Sequence, residues 1–250
     1  MVSTKMRLPE HLTLLYEPLV DLKSRKAVAV QAGLRWSSRF EQEDPESFEA
    51  VSHWRFAHHR PEVDLPLIQV VCEHMRDWAE TGTLVRVCVP VDAGTLGHPK
   101  LLSTLLYAAQ QTGVPIEQLE LGLTPESAIV DMQAASRNIE ALSKHGVKLA
   151  LLGFGAGHLS LACLSRLRCE RVEVTEQWVV DLGPSVGTYQ ILRSCFDIFS
   201  SFGKQTAAAG ADSEEQVRLL AQVGCQLARG LAFSAPVIPL VVPAALAALQ

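Results

Sequence analysis

Apolar and polar positions divide the chain into short runs with two different periods. Leu12–Leu22 and Lys26–Trp36 are both apolar and β-rich, and the polar link Lys23–Ser24–Arg25 between them reads as a hairpin connection. Ser37–Glu46 is charged and contains Pro45, so a loop is predicted there. Phe48–Phe56 resumes a helical pattern, which His58–His59–Arg60–Pro61 breaks. Beyond that point helical and extended patterns alternate. Helices are predicted at Asp64–Gly82, Lys100–Thr112, Glu126–His145, Leu159–Leu167, Val186–Phe202 and Ser213–Val223. Strands are predicted at Leu84–Val91, Gln118–Leu123, Val147–Leu152, Arg171–Thr175, Lys204–Ala208 and Cys225–Ala228.

Such alternation implies parallel strands joined by helical crossovers, hence an α/β fold. Two opening strands and six more, each reached through a helix, favour a closed barrel over an open sheet. The 250 residues suit a single barrel domain spanning 1–250. In a barrel of this kind the chemistry sits at the C-terminal tips of the strands.

Composition adds limits. Apolar residues are 48% of the chain and charged residues 20%, enough to bury a core, so disorder is not expected. A formal charge of −5 argues against nucleic acid as the main partner, because neutralising phosphates takes concentrated Lys and Arg. Cys72, Cys88, Cys163, Cys169, Cys195 and Cys225 form no CxxC pair, and no signal peptide precedes them. They read as reduced core residues of a cytoplasmic protein. Leu231–Leu249 is almost wholly apolar, but Pro236, Pro239 and Pro243 disfavour a membrane span; a strand end and a docked terminal helix are expected instead. His53, His58 and His59 are poorly spaced for a metal and read as loop or helix-end residues. Gly153–Phe154–Gly155–Ala156–Gly157 lacks the GxGxxG spacing and reads as a tight strand-to-helix turn.

The strand tips carry a more specific signal. Tyr16–Leu22 followed by Val30–Gln31–Ala32–Gly33–Leu34–Arg35–Trp36 resembles the opening of the EAL family, whose second segment holds Glu-Ala-Leu before Leu-Arg-Trp. Leu119–Thr124, Leu149–Gly157, Ala208–Gln216, Gly224–Cys225 and Arg229–Pro236 resemble later family motifs in the same order, so the likeness covers about Leu12 to Val237. It implies a modified TIM (β/α)8 barrel with an antiparallel first strand, in a family that hydrolyses cyclic di-GMP with two divalent metals. Clustered carboxylates must hold such ions and activate water.

At the positions that match those motifs this chain departs from the pattern. Gln31 stands for the Glu of Glu-Ala-Leu, Pro90 for an Asn, Gly122 for a Glu ligand, and Leu152 and Gly153 for two Asp residues. A second Glu of the Gly122 motif falls at Pro125 or slips to Glu126. Glu173 stands for the family's Lys, Ala209 for a Glu and Arg229 for a Gln. The expectation from these departures is a degenerate phosphodiesterase that is not an enzyme and holds no metal or cofactor. The candidate nucleotide contacts are Gln31, Arg35, Asp64, Arg229, Phe233 and Pro236, with the alternative that Arg35 and Arg229 serve ion pairs, Arg229 with Glu173. Two functions follow. One is a cyclic di-GMP receptor that relays binding to a protein partner such as a PilZ-type adaptor in type IV pilus regulation. The other is a protein-interaction scaffold that no longer binds the nucleotide; an enzyme of altered chemistry lacks a coherent nucleophile–base pair.

Overall fold

A computed structural model describes residues 12–36, 60–183 and 186–249. The predicted loop 37–46, the helical pattern 48–56, and His53, His58 and His59 lie outside these residues. Strands β1 (Leu12–Asp21) and β2 (Ala27–Trp36) pair antiparallel, with Tyr16 opposite Ala32 and Glu17 opposite Gln31. Asp21 makes the turn between them: its Oδ1 accepts from the backbone N–H of Lys23 at 3.1 Å and of Ser24 at 2.7 Å, and from the Ser24 hydroxyl at 2.9 Å. The remaining strands are β3 (Arg86–Val91), β4 (Leu119–Leu123), β5 (Lys148–Phe154), β6 (Arg171–Val174), β7 (Gln205–Ala209) and β8 (Leu227–Arg229). From β2 to β8 each pairs parallel with the next, and β8 closes antiparallel onto β1. The eight strands form one closed barrel. An α/β barrel with an antiparallel first strand is therefore what the chain builds.

The helices are α1 (Pro61–Glu80), α2 (Ala93–Leu96), α3 (Leu101–Thr112), α4 (Met132–Lys144), α5 (Leu161–Arg166), α6 (Glu176–Val180), α7 (Val186–Ser201), α8 (Glu214–Gln222) and α9 (Val242–Ala247). Helix α1 starts on Pro61, where a missing N–H costs nothing, and buries Leu67, Ile68, Val71, Cys72, Met75 and Trp78 along one face. Helix α4 begins six residues later than the periodicity suggests. Asp131 sets its start by accepting from the Ala134 N–H at 2.9 Å, while residues 124–131 form no helix. Helices α2 and α6 are too short to show a period in sequence.

The apolar C-terminal run behaves as its prolines suggest. Val237 bridges to Tyr16, a 3-10 turn covers Pro239–Val241, and α9 docks by burying Val242 and Leu246. The Trp78 indole donates to the Pro239 carbonyl at 2.8 Å, and the Leu249 carbonyl accepts from the Ala27 N–H at 3.0 Å. No helix among the described residues is long and apolar enough to cross a membrane. All six cysteines are free thiols, and five are buried; Cys195 is partly exposed.

Candidate active site at the barrel mouth

Inside the barrel the strands bury charge as well as aliphatic side chains. Glu17 on β1, Glu120 on β4, Arg171 and Glu173 on β6, and Arg229 on β8 are each at most 4% exposed. They form one chain of alternating sign. Arg171 Nη2 donates to Glu120 Oε2 at 2.7 Å and its Nε to Oε1 at 3.4 Å, while Nη1 donates to Glu173 Oε2 at 3.1 Å. Arg229 donates through Nη2 to Glu173 Oε1 at 2.7 Å and through Nε to Oε2 at 3.1 Å; its Nη1 reaches Glu17 Oε2 at 2.5 Å.

Small residues on the intervening strands make these contacts possible. Ala207 and Ala209 of β7 lie in register with Glu173 and Arg229, so the β6 and β8 side chains meet across strand β7. Ala150 of β5 lies in register with Arg171 and leaves its path to Glu120 open. Burial by itself would favour the neutral guanidines. The carboxylates outweigh it, chiefly Glu120 at Arg171 and Glu173 at Arg229, and hold both pKa values above the ordinary arginine range. Apolar clusters pack beside this ion chain: Leu19, Ala29, Ala207 and Leu227 form one, and Cys88, Ala150 and Leu152 another. Burial, followed by the nearby Glu120 charge, pushes the Cys88 thiol well up, which keeps it protonated.

At the C-terminal tips lies an open cleft of about 240 Å³ lined by Pro125, Glu126, Gly153, Ala156, Thr175, Glu176 and Ala209. Its wall is the turn after β5. Gly155 has φ +100°, and a Cβ there would strike the Trp178 ring. A Cβ at Gly157 would strike the Pro125 carbonyl, which also accepts from the His158 N–H at 3.0 Å. The expected strand-to-helix turn is present, although β5 runs on through Phe154 before it.

The candidate nucleotide contacts fall in different settings. Gln31 is buried; its Nε2 donates to the Ala32 carbonyl at 3.3 Å and its Oε1 has no partner. Arg35 lies at the C-terminal end of β2, opposite Thr13, and is partly exposed. Asp64 is fully buried in α1, where its Oδ2 accepts from the Asp92 N–H at 2.9 Å and the Thr95 hydroxyl at 2.6 Å. It thereby ties α1 to the start of α2. Arg229 faces inward, with all three guanidinium nitrogens engaged by Glu173 and Glu17. Phe233 and Pro236 are partly exposed in the segment after β8, with the Arg25 guanidinium 5.3 Å from the Phe233 ring centre. Gln31 lies in register with Glu17, which pairs with Arg229. Sequence reasoning passed over Glu17, Glu120 and Arg171. The available signal was charge at alternate positions of otherwise apolar strands, as in Leu119–Glu120–Leu121 and Arg171–Val172–Glu173.

The two divalent ions that the resemblance implies need a cluster of oxygen ligands. Among the described residues no group of three or more His, Cys, Asp or Glu could hold an ion. A Cβ at Gly122 would collide with Leu152 Cδ1, so that tip has no room for a longer ligand as packed. The described side chains do not by themselves make a two-metal cage.

Residues 4–236 match the EAL domain family. The chain belongs to the EAL family. An uncharacterized protein of Mycobacterium tuberculosis is 27% identical over 248 residues, covering 93% of this chain and 78% of its own length. The cyclic di-GMP phosphodiesterase NbdA of Pseudomonas aeruginosa is 24% identical over 229 residues, covering 91% of this chain but only 29% of NbdA. Among solved structures, the EAL domain of Mycobacterium smegmatis DcpA superposes with a TM-score of 0.78 at 20% identity, covering 95% of this chain and 96% of that one. The PaMucR phosphodiesterase in complex with c-di-GMP gives a TM-score of 0.75 at 22% identity, covering 91% and 92%. At these identities the superpositions establish the EAL fold.

These relatives correct one expectation. The departures at the strand tips suggested a chain that is not an enzyme. The family and relatives include phosphodiesterases, and nothing in the comparisons sets this EAL domain apart as inactive.

Proposed function

We propose that this EAL barrel recognises cyclic di-GMP at its C-terminal mouth and passes the bound state to a protein partner, a PilZ-type adaptor being one such partner. The observation that carries the reading is the cleft at the tips of β4 to β7, in a family whose solved members include barrels complexed with this nucleotide. Arg35, at the C-terminal end of β2 and partly exposed, supplies a cation that a phosphate attracts, and Phe233 offers a ring edge for a base. Isothermal titration of the chain with cyclic di-GMP, with and without magnesium, tests it. Saturable heat that weakens on Arg35→Ala is expected. Absence of heat at millimolar nucleotide would overturn the reading in favour of a scaffold that binds only protein. Chromatography of the same samples for the linear dinucleotide reports turnover.

A further inference from the structure

The buried ion chain has a consequence for any phosphate that enters the mouth. Arg229 presents Nε and Nη2 together to the two oxygens of Glu173, at 3.1 and 2.7 Å, in the paired geometry with which a guanidinium grips a phosphate. Ala209, which lines the cleft, is the in-register neighbour of Arg229 on β8. Among the described residues the network has three carboxylates and two guanidiniums, held in a buried interior where charge acts strongly. We infer that Glu173 is an internal anion that occupies Arg229 in place of a ligand phosphate, and so sets how strongly the mouth binds phosphorylated ligands. The inference deepens the proposed nucleotide recognition and rests on it for the identity of the ligand.

Glu173→Gln keeps the side-chain size and removes the charge. Arg229 would keep Glu17 through Nη1 and Arg171 would keep Glu120, while the Nε/Nη2 face of Arg229 would be released. The described members of the network would then balance, two carboxylates against two guanidiniums, and the guanidinium could turn toward the cleft beside Ala209. Titration with cyclic di-GMP at fixed ionic strength is expected to show at least about tenfold tighter binding for Glu173→Gln than for the unaltered chain. Adding Arg229→Met should erase the gain.

A folded Glu173→Gln chain with no gain would overturn the inference, as would a gain that survives Arg229→Met. If the unaltered chain binds no cyclic di-GMP, the proposed function fails, and inorganic phosphate then reads the inference separately. Phosphate should raise the melting temperature of Glu173→Gln relative to chloride at equal ionic strength, and leave that of the unaltered chain unchanged; equal responses would overturn it. Should Glu173→Gln not fold, the Glu120→Gln, Arg171→Met, Glu173→Met triple variant exposes the same face of Arg229 and leaves Glu17 as its partner at Nη1. The same expectations and refutations apply to it.

Discussion

Replacing Arg171 with Met tests the energetics of the barrel interior most directly. The change removes three hydrogen bonds, two to Glu120 and one to Glu173. Glu173 keeps Arg229, but the Glu120 side chain, 5% exposed, loses the guanidinium that faces it. A buried ion left without its counter-ion costs roughly 3–5 kcal/mol, because desolvation is no longer offset by attraction. Domains of this kind hold only about 5–15 kcal/mol in all. At about 2–4 °C per kcal/mol for a chain of this size, the melting temperature should fall by roughly 6–20 °C. Urea unfolding followed by far-ultraviolet circular dichroism measures the free energy, with the slope against urea reporting whether the transition stays cooperative. The companion double variant Glu120→Gln/Arg171→Met removes both charges together. It should recover a large part of the loss, since a neutral pair of similar volume leaves no stranded ion. A single-variant loss below about 1 kcal/mol at unchanged slope would refute this account, as would a double variant no more stable than the single one; both thresholds come from the same buried-pair argument.

Three further outcomes are expected. Gly122→Ala should cost about 1–3 kcal/mol by overpacking, because its Cβ would meet Leu152 Cδ1 and come within 2.9 Å of Cys88 Sγ; unchanged urea stability would mean that Leu152 can turn aside. Trp78→Phe should cost about 1 kcal/mol by deleting the bond to the Pro239 carbonyl, and limited proteolysis should then cut the segment beyond Val237 faster. Burial holds the His74 imidazole below its ordinary value of 6.5, against a smaller upward pull from Asp77 and then Glu73. The folded chain therefore binds fewer protons there than the unfolded chain. Stability should be whole above pH 6.5 and decline as pH falls through it; His74→Gln should flatten that slope in urea titrations, and an unchanged slope would refute the assignment.

Much of the fold is written locally. Alternation of short apolar strands with amphipathic helices gives the parallel run β2 to β8 of an α/β barrel, and Asp21, Pro61, Ser213 and the left-handed glycines mark where elements turn or start. Periodicity does so because burial on one face depends only on residue spacing. The ordered motifs from Tyr16 to Pro236 likewise carry the likeness to the EAL family, which the match over residues 4–236 bears out. The interior pairing is different. Glu17, Glu120, Arg171, Glu173 and Arg229 are spread over 213 positions, and their order along the chain says nothing of which carboxylate each arginine meets. Barrel closure and register decided that, by setting Ala150, Ala207 and Ala209 beside them and leaving space across the intervening strands. Asp64 shows the same division. Its carboxylate accepts from the Asp92 N–H and the Thr95 hydroxyl because α1 packs against the end of β3, a contact that its own stretch of sequence does not specify. Spacing along one element fixes which face is buried, whereas the partner of a buried charge depends on strands far apart in sequence, which only the closed barrel brings together.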